Sequence, residues 1–430
     1  MTAAAHAVTA GAPSRGGMFD RSVPVLVLRR SPGPFQHCAL MVARTLGRVG
    51  VPVYCVSFGP RDPVNRSRYL AGALRLPGRS DDRRWARRLL ELPSRFDGAI
   101  LLAIDDPAAV AVGDHQEALL ARFRVPRQPS GIQRRLACKR ELWLLCRRLG
   151  LPTPASSFPR SEAELLAQAA GHGYPVVIKR AQAWRAPRDP LAPSVAIARD
   201  REQLLRAWAR MESDEAPQVM LQEYVPSSPG SAWMYNGCFG EGARALFDFT
   251  GQKLRQAGSG AGPATLGLAR YNDQVARTAH RLMRELGYRG IVDMDFLYDR
   301  RDGSYKLLDV NPRLGSSFRL FAAANGLDVV RALHLDLTGR SVPDATCADG
   351  RRWIDERGDL AAAARLLVGG ALSPREWLRT LRGVDEGAWL AYDDPLPTLL
   401  LALQLAPYSA RRLAARPRAG RPGRRPAASA

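Results

Sequence analysis

Between Gly290 and Gly315 the chain reads GIVDMDFLYDRRDGSYKLLDVNPRLG, a stretch whose carboxylates, amide and guanidinium are spaced for ion chemistry. Two β-patterned runs flank Arg300-Arg301-Asp302-Gly303, and Asp-Gly between such runs predicts a hairpin turn. Asp309 and Asn311 lie two apart on the second strand, so their side chains leave one face. The hairpin brings Asp295 of the first strand beside them. Two carboxylates and an amide oxygen on one face suit a hard divalent cation that keeps some water and also takes phosphate oxygens. Arg313, following Pro312, offers a planar fork to a phosphate or carboxylate at the same edge. The bland alternative is a solvated hairpin whose acids only keep the sheet soluble.

The lysines form a second set. Of 63 basic residues only Lys139, Lys179, Lys253 and Lys306 are lysine. An arginine bias of this kind follows from a G+C-rich genome wherever a generic positive charge suffices, so the four exceptions merit separate inspection. Lys253 and Arg255 sit together in Gly-Gln-Lys-Leu-Arg-Gln, whereas Lys306 follows the hairpin turn and reads as a solvated charge.

The elements that must hold these residues alternate in type. Residues 1–20 lack hydrophobic period and read as a flexible leader. Apolar runs at Val23–Leu28, Val51–Val56 and Ala99–Ile104 alternate with helical segments at His37–Arg48 and Pro107–Phe123, which argues for a parallel α/β layer. Pro126–Gly131 reads as a linker. A helix over Arg134–Leu149 ends at Gly150 and Pro152. A capping box at Ser161–Glu164 opens another helix before the strand Pro175–Lys179. Val219–Val225, Ala243–Phe249, Gly290–Tyr298 and Tyr305–Val310 read as strands, with a helix at Asn272–Leu286. Helical periodicity returns at Leu360–Leu372 and Trp377–Leu381, and the Arg/Pro/Gly tail from Arg411 reads as disordered.

The hairpin resembles the metal-binding hairpin of ATP-grasp enzymes, in which an acidic or amide residue precedes an E-x-N-P-R string by fourteen positions; Asp295 to Asp309 has that spacing, with Asp309 in place of the usual Glu. The resemblance extends upstream. Lys139, before Leu-Gly-Leu-Pro-Thr-Pro, and Lys179, in Tyr-Pro-Val-Val-Ile-Lys, look like the two family lysines that reach the nucleotide phosphates, the second from a lid strand. Gln222-Glu223-Tyr224-Val225-Pro226 resembles the interdomain hinge that reads adenine. The resemblance implies ATP and Mg2+ (or Mn2+) as cofactors, metal contact by Asp295, Asp309 and Asn311, ATP contact by Lys139, Lys179, Gln222, Glu223, Tyr224 and Val225, and catalytic roles for Arg313, Lys253 and Arg255. One departure is the lid. Arg180 to Ser194 contains Arg185, Arg188 and three prolines but no glycine, where family lids often carry a Gly-rich loop.

The implied fold class is α/β, with α+β character in the ATP-grasp part. A Rossmann-like pre-ATP-grasp domain occupies 21–127 after the 1–20 leader. A two-lobed ATP-grasp domain occupies 128–345, with its lid at about 155–222. A helical appendage at 346–410 and the basic tail at 411–430 complete the chain. No GxGxxG is present, so no dinucleotide is inferred. The implied activity is a ligase resembling predicted bacterial carboxylate–amine ligases, activating a carboxylate as an acyl phosphate for an amine-type nucleophile. The alternative is a non-catalytic ATP-binding module with an altered lid.

Composition narrows the partners. With 46% hydrophobic and 24% charged residues the chain is globular in type. Its net charge of +22 invites a nucleic-acid reading, but the excess is dispersed, seven arginines fall in the tail, and aromatic residues are sparse in the basic stretches. We therefore expect small-molecule substrates, no specific nucleic acid and no membrane span. Six cysteines without a CxxC pair fit a reducing cytoplasm. The oligomeric state is left open.

Overall fold

The computed structural model of the protein describes residues 17–31, 37–76, 81–185, 194–211, 219–258 and 262–404. Most of the leader, the tail, Arg188 and the centre of the Gly258–Gly262 stretch lie outside these residues. Strands β1 (Val25–Leu28), β2 (Val53–Val56), β3 (Gly72–Leu74) and β4 (Ile100–Ala103) form one parallel sheet in the order β3-β2-β1-β4. Their continuous apolar runs are what a sheet covered on both faces requires. Helices α1 (His37–Gly47), α2 (Asp82–Leu90), α3 (Asp106–Asp114) and α4 (Gln116–Leu120) supply the cover. The alternating pattern predicts this parallel layer, and the order 3-2-1-4 has the Rossmann-like form that the family resemblance implies.

The expected helix over Arg134–Leu149 is two helices, α5 (Ile132–Ala137) and α6 (Lys139–Arg148). Cys138 between them is extended, with φ −81° and ψ 115°, because its backbone bridges Gln182 while the Lys139 amide donates to the Ala181 carbonyl at 2.9 Å. A tertiary pairing has interrupted a locally continuous helical pattern, and it puts Lys139 at the first position of α6.

A second sheet, antiparallel and ordered β5-β8-β6-β7, comprises β5 (Ser156–Ser157), β6 (Val176–Arg180), β7 (Val195–Ala198) and β8 (Val219–Glu223). Helices α7 (Glu162–His172) and α8 (Arg201–Met211) pack on it around a small core of its own, including Leu165, Ile178, Leu204 and Leu221.

The largest sheet has seven strands in the order β13-β12-β9-β10-β11-β14-β15. These are β9 (Ala232–Phe239), β10 (Ala245–Gln256), β11 (Ala264–Ala269), β12 (Gly290–Asp299), β13 (Ser304–Asn311), β14 (Arg352–Ile354) and β15 (Glu386–Gly387). Sequence reasoning missed β9: it is buried on both faces, so its AWMYNGCF shows no alternation. The C-terminal region was expected to be helical, yet β14 and β15 extend the sheet beyond β11, alongside α11 (Glu356–Val368) and α12 (Pro374–Leu381). Helix α9 (Asp273–Glu285) covers one face; the other joins α1 and α10 (Val329–Leu337) in a core shared with β1.

Candidate active site

The site is built where one face of the β12–β13 hairpin meets the second sheet. Asp295 pairs directly with Asp309 across the ladder, and Asp293 with Asn311. Alternation then puts all four side chains on one face. The register slips between Asp295 and Phe296, leaving Leu308 as a bulge beside Asp309.

Lysines reach this face from three other elements. Lys253, on β10, spans β9 and places Nζ 2.6 Å from Asp295 Oδ1. Lys139, positioned by the Cys138 bridge, pairs with Asp309. Lys179, 8% exposed on β6, is surrounded by the charges of Asp309, Lys139, Asp295 and Lys253. Burial, helped by the two neighbouring ammoniums, pushes it down from 10.5 to about 8 despite both carboxylates. Three of the chain's four lysines therefore converge on two carboxylates. Lys306, the fourth, pairs with Asp302 in the hairpin turn at 2.5 Å.

The other expected residues are distributed as follows. Glu223 ends β8 and joins the second sheet to the hairpin turn: its carboxylate accepts from the Ala155 amide at 2.9 Å and from Arg301 Nη2 at 3.1 Å. Gln222 is buried and donates to Ser156 Oγ at 3.0 Å, Val225 is buried, and Tyr224 is half-buried in the connection to β9. Arg313 donates to Asp106 Oδ1 at 2.9 Å, linking the hairpin to the start of α3. Burial opposes its charge, but the Asp106 and Asp293 carboxylates outweigh that and push it further up.

Arg255 does not join the cluster. Its guanidinium makes a two-pronged contact with Asp359 on α11, at 2.7 and 3.0 Å, and reaches Thr380 Oγ1 at 3.0 Å. Lys253 and Arg255 are two apart, but the register of β10 against β11 slips between them, so the strand-period argument fails there.

Three residues at this site were not singled out from sequence: Asp293, Asn236 and Asp106. Asp293 accepts from Asn311 Nδ2 at 3.1 Å and from Asn236 Nδ2 at 3.4 Å. Burial, then the Asp295 carboxylate, raises it to about 6. A Cβ at Gly315 would collide with its carboxylate, so the glycine that closes Asn-Pro-Arg-Leu-Gly makes room for it. Asp293 was legible by the same two-residue period that joins Asp309 to Asn311; Asn236 lay on the unread strand β9.

Asp295, Asp309 and Asn311 together are an all-oxygen donor set suited to a hard cation. Among the described residues no three His, Cys, Asp or Glu side chains gather into a metal cage. Two carboxylates and one amide oxygen leave the rest of a hard cation's shell to water and phosphate oxygens. An open cavity of about 390 Å³, lined in part by Trp233, Gln252, Arg270, Tyr298 and Tyr305, lies away from this cluster, on the opposite face of the same sheet. The chemistry follows the charges rather than that concavity.

Comparison with known proteins is consistent with this architecture. A family model described as the ATP-binding domain of the carbamoyl-phosphate synthase L chain matches residues 260–336. D-aspartate ligase of Enterococcus faecium is 25% identical over 243 residues, covering 54% of this chain and 57% of that one, so the chain spans little more than half of this relative's length. Among solved structures, the biotin carboxylase domain of Hydrogenobacter thermophilus 2-oxoglutarate carboxylase, in complex with MgADP, ADP and bicarbonate, superposes with a TM-score of 0.58 at 16% identity, covering 78% of this chain and 74% of its own. The L-amino acid ligase of Bacillus licheniformis gives 0.53 at 16%, covering 74% and 75%. The chain has the ATP-grasp fold and resembles the ATP-dependent carboxylate–amine ligases built on it.

Proposed function

We propose that this protein is an ATP-dependent ligase that activates a small-molecule carboxylate and joins it to an amine. The observation that carries the reading is the convergence of Lys139, Lys179 and Lys253 on Asp295 and Asp309. Three ammoniums held against two carboxylates at one buried point carry an excess of positive charge, which is costly unless a polyanion is to be bound there. Compact ammoniums on flexible stems can turn from the carboxylates to phosphate oxygens as a nucleotide enters. Asp295, Asp309 and Asn311 would hold Mg2+, which neutralises phosphate charge when bound.

In the reaction, a substrate carboxylate oxygen attacks the γ-phosphorus of ATP and the bond to the β–γ bridging oxygen breaks, leaving ADP and an acyl phosphate. The amine then attacks the acyl carbon, phosphate departs, and the amine loses a proton. Lys139, Lys179 and Lys253 position and neutralise the phosphates, and Arg313 holds the hairpin edge against Asp106. On this reading residues 128–345 form the ATP-grasp domain, with the lid at about 155–222 and the adenine hinge at Gln222–Val225, after a preceding domain at 21–127. Six cysteines, all buried and free, support a cytoplasmic setting.

The test is magnesium-dependent ADP release from ATP with a panel of amino acids and other carboxylates, each with and without amine partners. We expect release that requires one carboxylate and one amine together, with a conjugate of matching mass. Tight ADP binding with no release on any combination would instead establish a non-catalytic nucleotide module.

Lys179 adds a pH signature. Its lowered pKa means that the free protein loses this proton above about pH 8, while a bound phosphate holds the ammonium charged. Nucleotide binding near pH 9 should therefore take up a proton, and affinity should fall by up to about tenfold per pH unit above 8. For the empty protein the sign is opposite: the buried charge subtracts stability below pH 8, and that penalty fades between 8 and 10.5. Calorimetry of ADP binding in two buffers of different ionisation heat measures the uptake; an unchanged uptake in Lys179→Met would remove the assignment.

A further inference from the structure

One face of the seven-stranded sheet carries the lysine cluster; the other carries the cavity of about 390 Å³, which the ligase reading leaves unused. Its floor follows from strand alternation. Gln252 and Lys253 are neighbours on β10 and leave opposite faces, and the Trp233–Phe296 pair of β9 and β12 stands beside the Met234–Asp295 pair. The cavity therefore backs onto the strands that hold Lys253 and Asp295, with the thickness of the sheet between. A molecule bound in it cannot reach the lysines.

Its lining is aromatic at one end and cationic at the other. Buried Trp233 meets Tyr305 edge-on at 5.7 Å, and Tyr305 is tilted by 45° from Tyr298 at 4.9 Å, so the three rings form a corner in which none is stacked flat on another. The Gln252 amide is fixed between the ends: Nε2 donates to the Gly230 carbonyl at 3.1 Å, while among the described residues nothing donates to its Oε1. Arg270 follows β11, its amide donating to the Thr250 carbonyl at 3.1 Å, and Tyr271 beside it is 52% exposed and walls the cavity. The Arg270 guanidinium is exposed and has neither ion pair nor hydrogen bond among the described residues, whereas Arg255, Arg301 and Arg313 each hold a carboxylate. The acid nearest in sequence, Asp273, is taken by Arg277 at 2.5 Å. Two strand spacings of about 4.8 Å place Arg270 roughly 10 Å from Trp233, a span that one flat ring with a short acidic arm and an arginine side chain bridge together.

We propose that this cavity is a second small-molecule site, for a planar aromatic ring bearing a carboxylate or phosphate, with the ring against the Trp233–Tyr305–Tyr298 corner and the anion on Arg270. The aromatic corner offers ring faces and edges to any flat π-system, and a guanidinium takes either oxyanion through two parallel N–H groups. The volume falls at the small end of the range for ligand sites. An aromatic cage for a cation is the alternative use of such rings, and the Arg270 charge at its mouth opposes it. The inference is independent of the ligase reading.

The experiment is calorimetry of the full chain with phenylacetate and with AMP, at saturating MgADP to keep AMP off the nucleotide face. The controls are their uncharged counterparts, phenylacetamide and adenosine, and the ringless anions acetate and inorganic phosphate. We expect saturable binding of at least one ring anion with a Kd of about 1 mM or below, and at least about tenfold weaker binding of its uncharged and ringless counterparts. Arg270→Gln should weaken that binding at least about tenfold and Tyr271→Ala by a smaller factor, both with the parental thermal midpoint, because both side chains are exposed. Lys179→Met should leave it unchanged. Binding of phenylacetate alone makes the anion a carboxylate, and of AMP alone a phosphate; either upholds the site. No saturable binding of either, equal binding of the uncharged counterpart, or parental affinity in Arg270→Gln overturns the proposal. Loss of binding in Lys179→Met overturns it too, by moving the ligand to the nucleotide face.

Discussion

Asp309→Asn is expected to lower magnesium-dependent ADP formation by on the order of 10²- to 10³-fold, with circular dichroism unchanged. The change keeps the shape of the side chain and removes its charge. Asp309 stands opposite Asp295 in the ladder, pairs with Lys139, and contributes to the charge around Lys179, so both the cation edge and the lysine cluster lose their shared anion. The fold should persist, because Asp309 is partly exposed and the strand's ladder is made by its backbone. Asp309→Glu should keep turnover and shift the magnesium dependence, since the longer arm retains the carboxylate. Asp302→Asn serves as the control: it is exposed in the turn and pairs with Lys306 alone among the lysines. Asp299 is unsuitable for that purpose, since it is 1% exposed and accepts from Arg301 through side chain and backbone, so its loss would disturb the hairpin itself. Parental turnover in Asp309→Asn would sink the metal edge and the ligase reading together.

Asp359→Ala should lower stability by about 3–5 kcal/mol, the cost of leaving a buried guanidinium without its partner. Arg255 and Asp359 are 7% and 1% exposed, and Asp359 also accepts from Trp377 Nε1 at 3.1 Å and Thr265 Oγ1 at 3.3 Å. The pair thus fastens α11 and α12 to β10 and β11. Arg255→Met alone should be similarly damaging, because a carboxylate is then buried unpaired. Combining Arg255→Met with Asp359→Leu should restore much of the loss, since a well-packed apolar pair avoids both desolvation costs. Urea unfolding midpoints of the three variants, read beside nucleotide affinity, decide the matter. A parental midpoint in Arg255→Met with lost turnover would return Arg255 to the catalytic set from which its contacts remove it.

What the sequence determined by itself is the chemistry that depends on short-range period and turn type. Asp295, Asp309 and Asn311 share a face because strand alternation is local, and the Asp302-Gly303 turn brings the strands together without help from the rest of the chain. The parallel layer of β1 to β4 was legible for the same reason, since its strands are apolar and separated by helical segments. The scarcity of lysine marked Lys139, Lys179 and Lys253, though nothing in the spacing of residues 139, 179 and 253 says that they meet.

Tertiary structure decided the rest. Lys139 is placed by a bridge from Cys138 to Gln182, which overrides a continuous helical pattern. Asn236 sits beside Asp293 on the neighbouring β9, a strand whose double burial erases the alternation by which strands are read. Arg255 is drawn to a helix more than a hundred residues later, and Asp394 to Arg44 across most of the chain. Such pairings are chosen by which buried charges are adjacent after folding, and a buried charge takes whatever opposite partner the packing brings within reach, because leaving it alone costs more than any local preference can supply.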